Sequence, residues 1–420
     1  MITRMPYTAP ENDALTEGEA LNRRPILFAV AVATVGVLPA FLTGGLAVQV
    51  RGELDFGAAA LGLAVAAFFA CSSLASVVMG RLVERIGSHR GMRLAAAGSA
   101  ASLLGIALLA ETWAVLVACL VLGGLANAVS HPATNLSLAR EVPAGRQGLS
   151  FGVKQAAIPA ATLLAGLAVP GIAVTLGWRW AFAVGALLAL VVVFLVPAGT
   201  SGNAVRRKEE AREKDAPIAP LVLLALGIGL GSTATAPLGA FIVESSVAAG
   251  LRVGTAGLLL ALGSAVNIVV RVVFGRLADG MSSGRLRLVA AMLGIGVVGF
   301  ALLATGDSGL ILPGALLAFG AGWGWPGLFN FAVVKTNPRA PAAATGITQT
   351  GASGGAALGP LVFGLVVEAT SYDAAWLVSG AIALAALIAI LVGRRMLLRD
   401  RHPAPEDESS KKSQGKHFGG

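Results

Sequence analysis

The chain has 420 residues, of which 56% are apolar, 55 are glycine and only 13% are charged. Ordinary soluble domains carry about 25% charged residues, so this chain cannot cover a core of its size in water and reads as an integral membrane protein. The net charge of +9 then concerns orientation first, and the two cysteines, Cys71 and Cys119, lie in apolar runs and give no disulfide framework or metal spacing.

Residues 1–24 are a polar, acidic tail (Glu11, Asp13, Glu17, Glu19) without the pattern of a signal peptide. Beyond it come runs of about the ~20 apolar residues that cross a bilayer. Ten are free of charge: 25–50, 56–80, 94–110, 112–139, 180–205, 216–243, 288–306, 308–334, 340–367 and 374–393. Two more hold one interior charge each, Lys154 in 147–178 and Arg271 in 253–275. The runs do not alternate as the ~10-residue strands of a barrel do. The predicted fold class is therefore all-α, with twelve transmembrane helices. No Asp or Glu falls inside any run, so the buried charge is expected to be positive, and an anion is its simplest partner.

The loops after helices 2, 4, 6, 8 and 10 carry sixteen Lys and Arg, while those after helices 1, 3, 5, 7, 9 and 11 carry only Arg51, Arg179 and Arg252. This bias puts the first set and both termini in the cytoplasm of a plasma (inner) membrane protein. It also accounts for the basic balance without a nucleic-acid partner. Residues 199–216, GTSGNAVRRKEEAREKDA, read as a cytoplasmic linker between six-helix halves at 25–198 and 217–394. Residues 395–420 read as a cytoplasmic tail whose Arg394, Arg395, Arg399 and Arg401 lie against lipid headgroups.

The halves repeat. GRLVERIGSHR from Gly80 returns as GRLADGMSSGR from Gly275, Pro132 as Pro326, Gln155 as Gln349 and Trp178 as Tyr372, all at an offset of 194–195. Six helices is an even number, so the two bundles are parallel, related by an axis along the membrane normal. With twelve helices, a central loop and a Gly-x-x-x-acid-Arg-x-Gly motif after helix 2, residues 25–394 resemble the major facilitator superfamily of secondary transporters. Within it, an organic-anion, monocarboxylate- or cyanate-permease-like branch is the nearest in pattern. The resemblance implies that Gly80, Glu84, Arg85, Gly87 and Arg90, with Gly275, Asp279 and Arg285 in the second copy, lock the cytoplasmic side in one state. Two patterns of drug/proton antiporters are missing. Residues 118–124, ACLVLGG, hold no Arg, and helix 5 has Pro159 but no Gly-Pro.

Interior charges mark candidate sites, because they are costly in a bilayer. Arg271 and Lys154 are matched by the uncharged Ser76 and Thr348 in the opposite half, so the shared scaffold does not require them. Either each faces a central cavity or each snorkels to the headgroups. The stretch around Arg271, NIVVRVVFGRLAD, resembles helix 8 of organic-anion carriers, which implies a forked bond from Arg to a substrate carboxylate. Asn267 stands where such carriers often have an acid. Asn127, His131 and Asn135 form a polar stripe on helix 4, with His131 either a proton carrier or a hydrogen-bonding neighbour of the Pro132 kink. Gln155 and Gln349 read as scaffold or cavity amides, and Trp323, Trp325 and Asn330 as cavity wall or packing.

Together these residues predict a secondary active transporter of a small organic solute, expected to be anionic, with a drug or neutral-metabolite exporter as the alternative. A proton is the candidate coupling ion, the lipid bilayer the medium, and a monomer the expected state. The four His are scattered and no GxxxxGK[ST] motif occurs, so neither an enzyme, a cofactor nor a metal site is expected.

Overall fold

The computed structural model describes residues 24–143, 147–198, 218–281, 283–337 and 341–401. Twelve of its helices are long and apolar enough to cross a membrane: α1 Arg24–Gly45, α2 Ala58–Ile86, α3 Ser88–Leu109, α4 Trp113–Glu141, α5 Gly152–Leu176, α6 Trp178–Leu195, α7 Ala219–Ala248, α8 Val253–Ala278, α9 Arg285–Leu303, α10 Ser308–Thr336, α11 Ala344–Ala369 and α12 Tyr372–Leu398. All twelve coincide with the runs read from the sequence. An even number of crossings puts the start of α1 and the end of α12 on one side. The last helix continues to Arg401, past the expected boundary at 394. The predicted linker 199–216 lies outside the described residues, as does most of both tails.

Packing repeats as the duplication requires. Within the first half α1 packs on α5, α3 on α4 and α3 on α6; six helices later α7 packs on α11, α9 on α10 and α9 on α12. Between halves, α2 meets α11 and α5 meets α8, two contacts that the same two-fold relation exchanges. Lipid gives helices no hydrophobic drive to associate, so close approach depends on small residues. A Cβ on Gly351 or Gly355 of α11 would fall on the carbonyls of Ala225 and Gly229 of α7. One on Gly166 of α5 would lie 2.5 Å from the Ala261 nitrogen of α8.

These contacts between halves gather on the side away from the termini. There Gly44 of α1 meets Ala240 of α7, Gly62 of α2 meets Pro360 of α11, and Gly364 of α11 meets Ala58. Toward the termini the cover ends: on α2, Leu74 is 83% exposed, and no atom of the described residues lies within 4 Å of a Cβ added to Gly80, Gly275 or Gly346. The molecule is closed on one side and open on the side that carries its termini.

Charges decorate the closed side. After α1 a short helix, Ala47–Leu54, carries Arg51 and Glu53. Glu53 accepts from the Trp178 indole at 2.6 Å and pairs with Arg179 at the start of α6. The Arg179 hydrogen bond, and then the indole, hold the Glu53 carboxyl below its ordinary range. Arg51 crosses to the other half and pairs with Glu244. This corrects the expectation that no carboxylate is buried in a span. The charge-free run stops at 243, but α7 continues to Ala248, and Glu244 within it is 8% exposed. The helix tolerates that carboxylate because a guanidinium neutralises it from across the interface.

Candidate functional site

Two helices are interrupted near the middle of the molecule, and each has a proline where it resumes. The fifth span enters as the short helix Gln147–Lys154, turns at Gln155 and Ala156, and resumes at Ala157. In a continuous helix the Gln155 carbonyl would accept from residue 159, which is Pro159 and has no N–H. The tenth span passes through a π-helical turn, Ala318–Gly322, and restarts at Pro326. Pro326 has no N–H for the Gly322 carbonyl, and in the same interrupted stretch the carbonyls of Phe319 and Trp323 accept from side chains.

Side chains from α8 take up all three. Asn267 donates from Nδ2 to the Phe319 carbonyl at 2.5 Å and accepts from Arg271 Nε at 2.7 Å. Arg271 donates from Nη1 to the Gln155 carbonyl at 2.9 Å and from Nη2 to the Trp323 carbonyl at 3.0 Å. The sequence offered Arg271 a cavity or the headgroups; its guanidinium is tied inward, between the halves, to backbone oxygens. Three of its five N–H groups are used, leaving one on each terminal nitrogen. No carboxylate among the described residues pairs with it.

Lys154 precedes the carbonyl that Arg271 holds. It is 6% exposed and donates to Asn135 Oδ1 of α4 at 2.6 Å. Lys154 and Arg271 thus stand on either side of Gln155, one per half, with only neutral acceptors. His131 and Asn135 are exposed on the same face of α4. Toward the closed side this layer is sealed. Thr162 of α5 accepts a hydrogen bond from Ser264 of α8 at 2.7 Å, and Trp323 meets Phe41 of α1 edge to face with ring centres 6.1 Å apart. Along α8 the ties to α5 run from Gly257 to Ser264 and end at Arg271; beyond it Arg276 and Leu277 are exposed.

Other candidates lie apart. Asn127 is buried and donates to Ser72 of α2 at 2.8 Å, which makes it part of the packing of the first half. Asn330 is half-buried, Gln349 is exposed, and Trp325 is fully buried with its indole on the Gly322 carbonyl at 2.6 Å.

Of the lock motif, Gly80, Glu84, Arg85 and Arg90 lie on the open side, and the three charged residues are exposed. Gly87 ends α2 at φ +89°, a left-handed turn that favours glycine. Arg285 closes on its own half: it donates from Nε to the Ala278 carbonyl at 3.1 Å, bonds the Met281 carbonyl, and lies over the Phe331 ring. The side chain of Asp279 lies outside the described residues.

Nothing in the residues marked the caps on the Phe319 and Trp323 carbonyls, whereas Pro159 was a visible signal that the Gln155 carbonyl would be freed. Among the described residues no group of three His, Cys, Asp or Glu could hold a metal ion.

Comparison with known proteins agrees with this architecture. A chloramphenicol resistance protein of Streptomyces lividans is 29% identical over 356 residues, 80% of this chain and 87% of the relative. Three solved structures share the fold. A bacterial homologue of the human lysosomal transporter Spinster, inward-facing and occupied, has a TM-score of 0.69 at 16% identity, with 90% of this chain and 98% of that one covered. The nucleoside transporter NupG has 0.69 at 14%, covering 88% and 99%. A D-xylose–proton symporter has 0.68 at 17%, covering 87% and 96%. The family model of the Major Facilitator Superfamily matches residues 25–309 and 221–419, and the chain belongs to that superfamily of membrane transporters.

Proposed function

We propose that this transporter moves a small organic solute bearing an acidic group, by alternating access, and that Arg271 and Lys154 attract it. The observation that carries this reading is the pair of interior cations, 6% exposed at Lys154 and tied inward at Arg271, that meet carbonyl and amide oxygens but no carboxylate. An anion is the ligand that would neutralise them, and the free N–H on each terminal nitrogen of Arg271 suits a carboxylate. With the termini placed in the cytoplasm by the sixteen-to-three charge bias, the open side faces inward and the protein sits in the plasma membrane. Reporter fusions after residues 210 and 307 check the topology; 210 inside and 307 outside are expected. The substrate test is uptake of a panel of mono- and dicarboxylates into proteoliposomes, with and without a pH gradient. Saturable uptake of at least one acid, absent in Arg271→Ala, is expected.

A second reading is export of a neutral metabolite or drug, favoured by the Streptomyces relative. Chloramphenicol tolerance conferred on a sensitive host, and kept by Arg271→Ala, would select it.

On the open side Glu84 has no ion-pair partner among the described residues. Its motif would engage when that side closes. Glu84→Gln is then expected to slow turnover severalfold while substrate affinity changes little, since the residue is remote from Arg271. Equal loss of both, in single-turnover transport and equilibrium binding, would remove the gating role.

A further inference from the structure

The closed side holds two carboxylates, Glu53 just past α1 and Glu244 near the end of α7, the counterpart of α1 in the other half. At the offset of the repeat Glu244 falls on Gln49 or Val50 rather than on Glu53, and the two carboxylates are satisfied differently. In the first half Glu53 takes its bonds from Trp178 and Arg179, the first residues of α6. Trp178 corresponds to Tyr372 at the start of α12, so Arg179 corresponds to Asp373. The second half therefore keeps the aromatic partner but has an acid where the cation should be. Its carboxylate, Glu244 of α7, is served by Arg51, which comes from the other half and also reaches the Tyr372 hydroxyl. A carboxylate neutralised within its own half in one bundle is neutralised across the interface in the other.

We propose that Glu244 is a proton-binding site that sets whether this side of the transporter is closed or open. Arg51 is fixed at its own end by a bond from Nε to the Phe56 carbonyl at 2.9 Å, and its Nη1 reaches both Glu244 and the Tyr372 hydroxyl. The ion pair is thus a tie between halves. One oxygen of Glu244, Oε2, is buried and receives no hydrogen bond from any described residue. A proton arriving there forms a single O–H bond, converts an acceptor without a donor into a donor, and cancels the charge that Arg51 came to meet. The halves then lose their buried charged contact. The contact reforms only when the proton leaves.

The other groups nearby do not duplicate this arrangement. Of the elements packed on α7, the short helix after α1 brings Arg51 and α12 brings Tyr372. Glu368 on α11 also crosses to the other half, accepting from the Ala59 N–H of α2 at 2.8 Å, but it is exposed and meets no cation there among the described residues. Asp373 lies beside Gly306, Asp307 caps α10 through the Gly309 N–H, and Arg252 stands exposed at the start of α8. Glu53, with its cation in its own half, spans no moving interface.

The inference rests on the two-state transport cycle, and not on the charge of the substrate. Its test accordingly needs no substrate. Cys71 and Cys119 are replaced by Ser, spin labels are placed at Leu109→Cys and Thr370→Cys on the two halves of the closed side, and their separation is measured in nanodiscs between pH 4.5 and 8.5. The long-distance population should rise as pH falls. Glu244→Gln should shift the equilibrium toward the long distance by about tenfold at high pH, the scale of a hydrogen-bonded charge pair, and should abolish the pH response. Glu244→Asp should retain a response with a moved midpoint, and Glu53→Gln should respond as wild type does. A pH response in Glu244→Gln equal to that of wild type, or no response in wild type, overturns the proposal. Neither result touches the anion reading, which stands or falls on binding at Arg271.

Discussion

Arg271→Ala is expected to weaken binding of an acidic substrate by about 30-fold to several thousandfold, the equivalent of roughly 2–5 kcal/mol for one partner of a desolvated charged contact. The loss has two sources. The substrate's carboxylate would lose its forked donor, and the Gln155 and Trp323 carbonyls would lose the N–H groups that now satisfy them. The second source also affects the unliganded protein, so binding and thermal stability must both be measured. Arg271→Lys separates the two. An ammonium can reach one carbonyl but cannot present two parallel N–H groups to an anion, so stability should recover in part while affinity stays low. Lys154→Arg should be milder, because Lys154 meets a single amide oxygen and acts chiefly as a point charge. Isothermal titration with an acid identified by uptake, on wild type, both Arg271 variants and Lys154→Arg, checks the order. Unchanged affinity in Arg271→Ala would make the residue a helix clamp and leave the anion reading without its main support.

Gly355→Val and Gly62→Val should both be severe, but in different ways. Both glycines lie against a carbonyl of a neighbouring helix, Gly229 and Pro360 respectively. Added bulk at such a contact forces backbone apart and costs about 1–3 kcal/mol or more. Gly355 joins α11 to α7 inside one bundle, a contact present in every state of the cycle, so its substitution should lower the melting temperature and yield of folded protein. Gly62 joins α2 to α11 across the two halves, a contact that opening removes. There the same clash should leave the fold intact and drive the molecule out of the closed-side form. Spin-label distances and thermal unfolding of the two variants decide it. A Gly62→Val protein with wild-type distances and a lowered melting temperature would contradict the assignment of α2–α11 as a separable interface.

Much of the architecture was legible because bilayer crossing demands long apolar helices and duplication left matched residues at one spacing. Charge counting also marked Lys154 and Arg271, since an interior cation stands out in such runs. It failed at Glu244 for a physical reason. A run was ended at its first carboxylate, whereas a helix continues through one if a cation arrives from elsewhere, and Arg51 is 193 positions away in sequence. The partners of Arg271 were hidden for a related reason. They are backbone carbonyls, which every residue has, and only Pro159, which releases the Gln155 carbonyl, carries a sequence signal. Which side is closed could not be read at all, because one sequence must encode both forms and the tie between halves decides which is populated.

The burial of α1 bears on how the protein is assembled. Of its most apolar stretch 72% is enclosed by protein, against 28% for α11, and part of that enclosure comes from α7, where Gly44 meets Ala240 and Phe41 packs over Gly239. A ribosome releases α1 first and α7 much later. The helix must therefore wait in lipid, which its almost unbroken apolar sequence permits, and enter its final surroundings only when the second bundle arrives. A fragment ending after α6 would insert and pack α1 against α4 and α5 while leaving the Phe41–Gly44 face bare. That face, held open during synthesis, is where the second half finds the first.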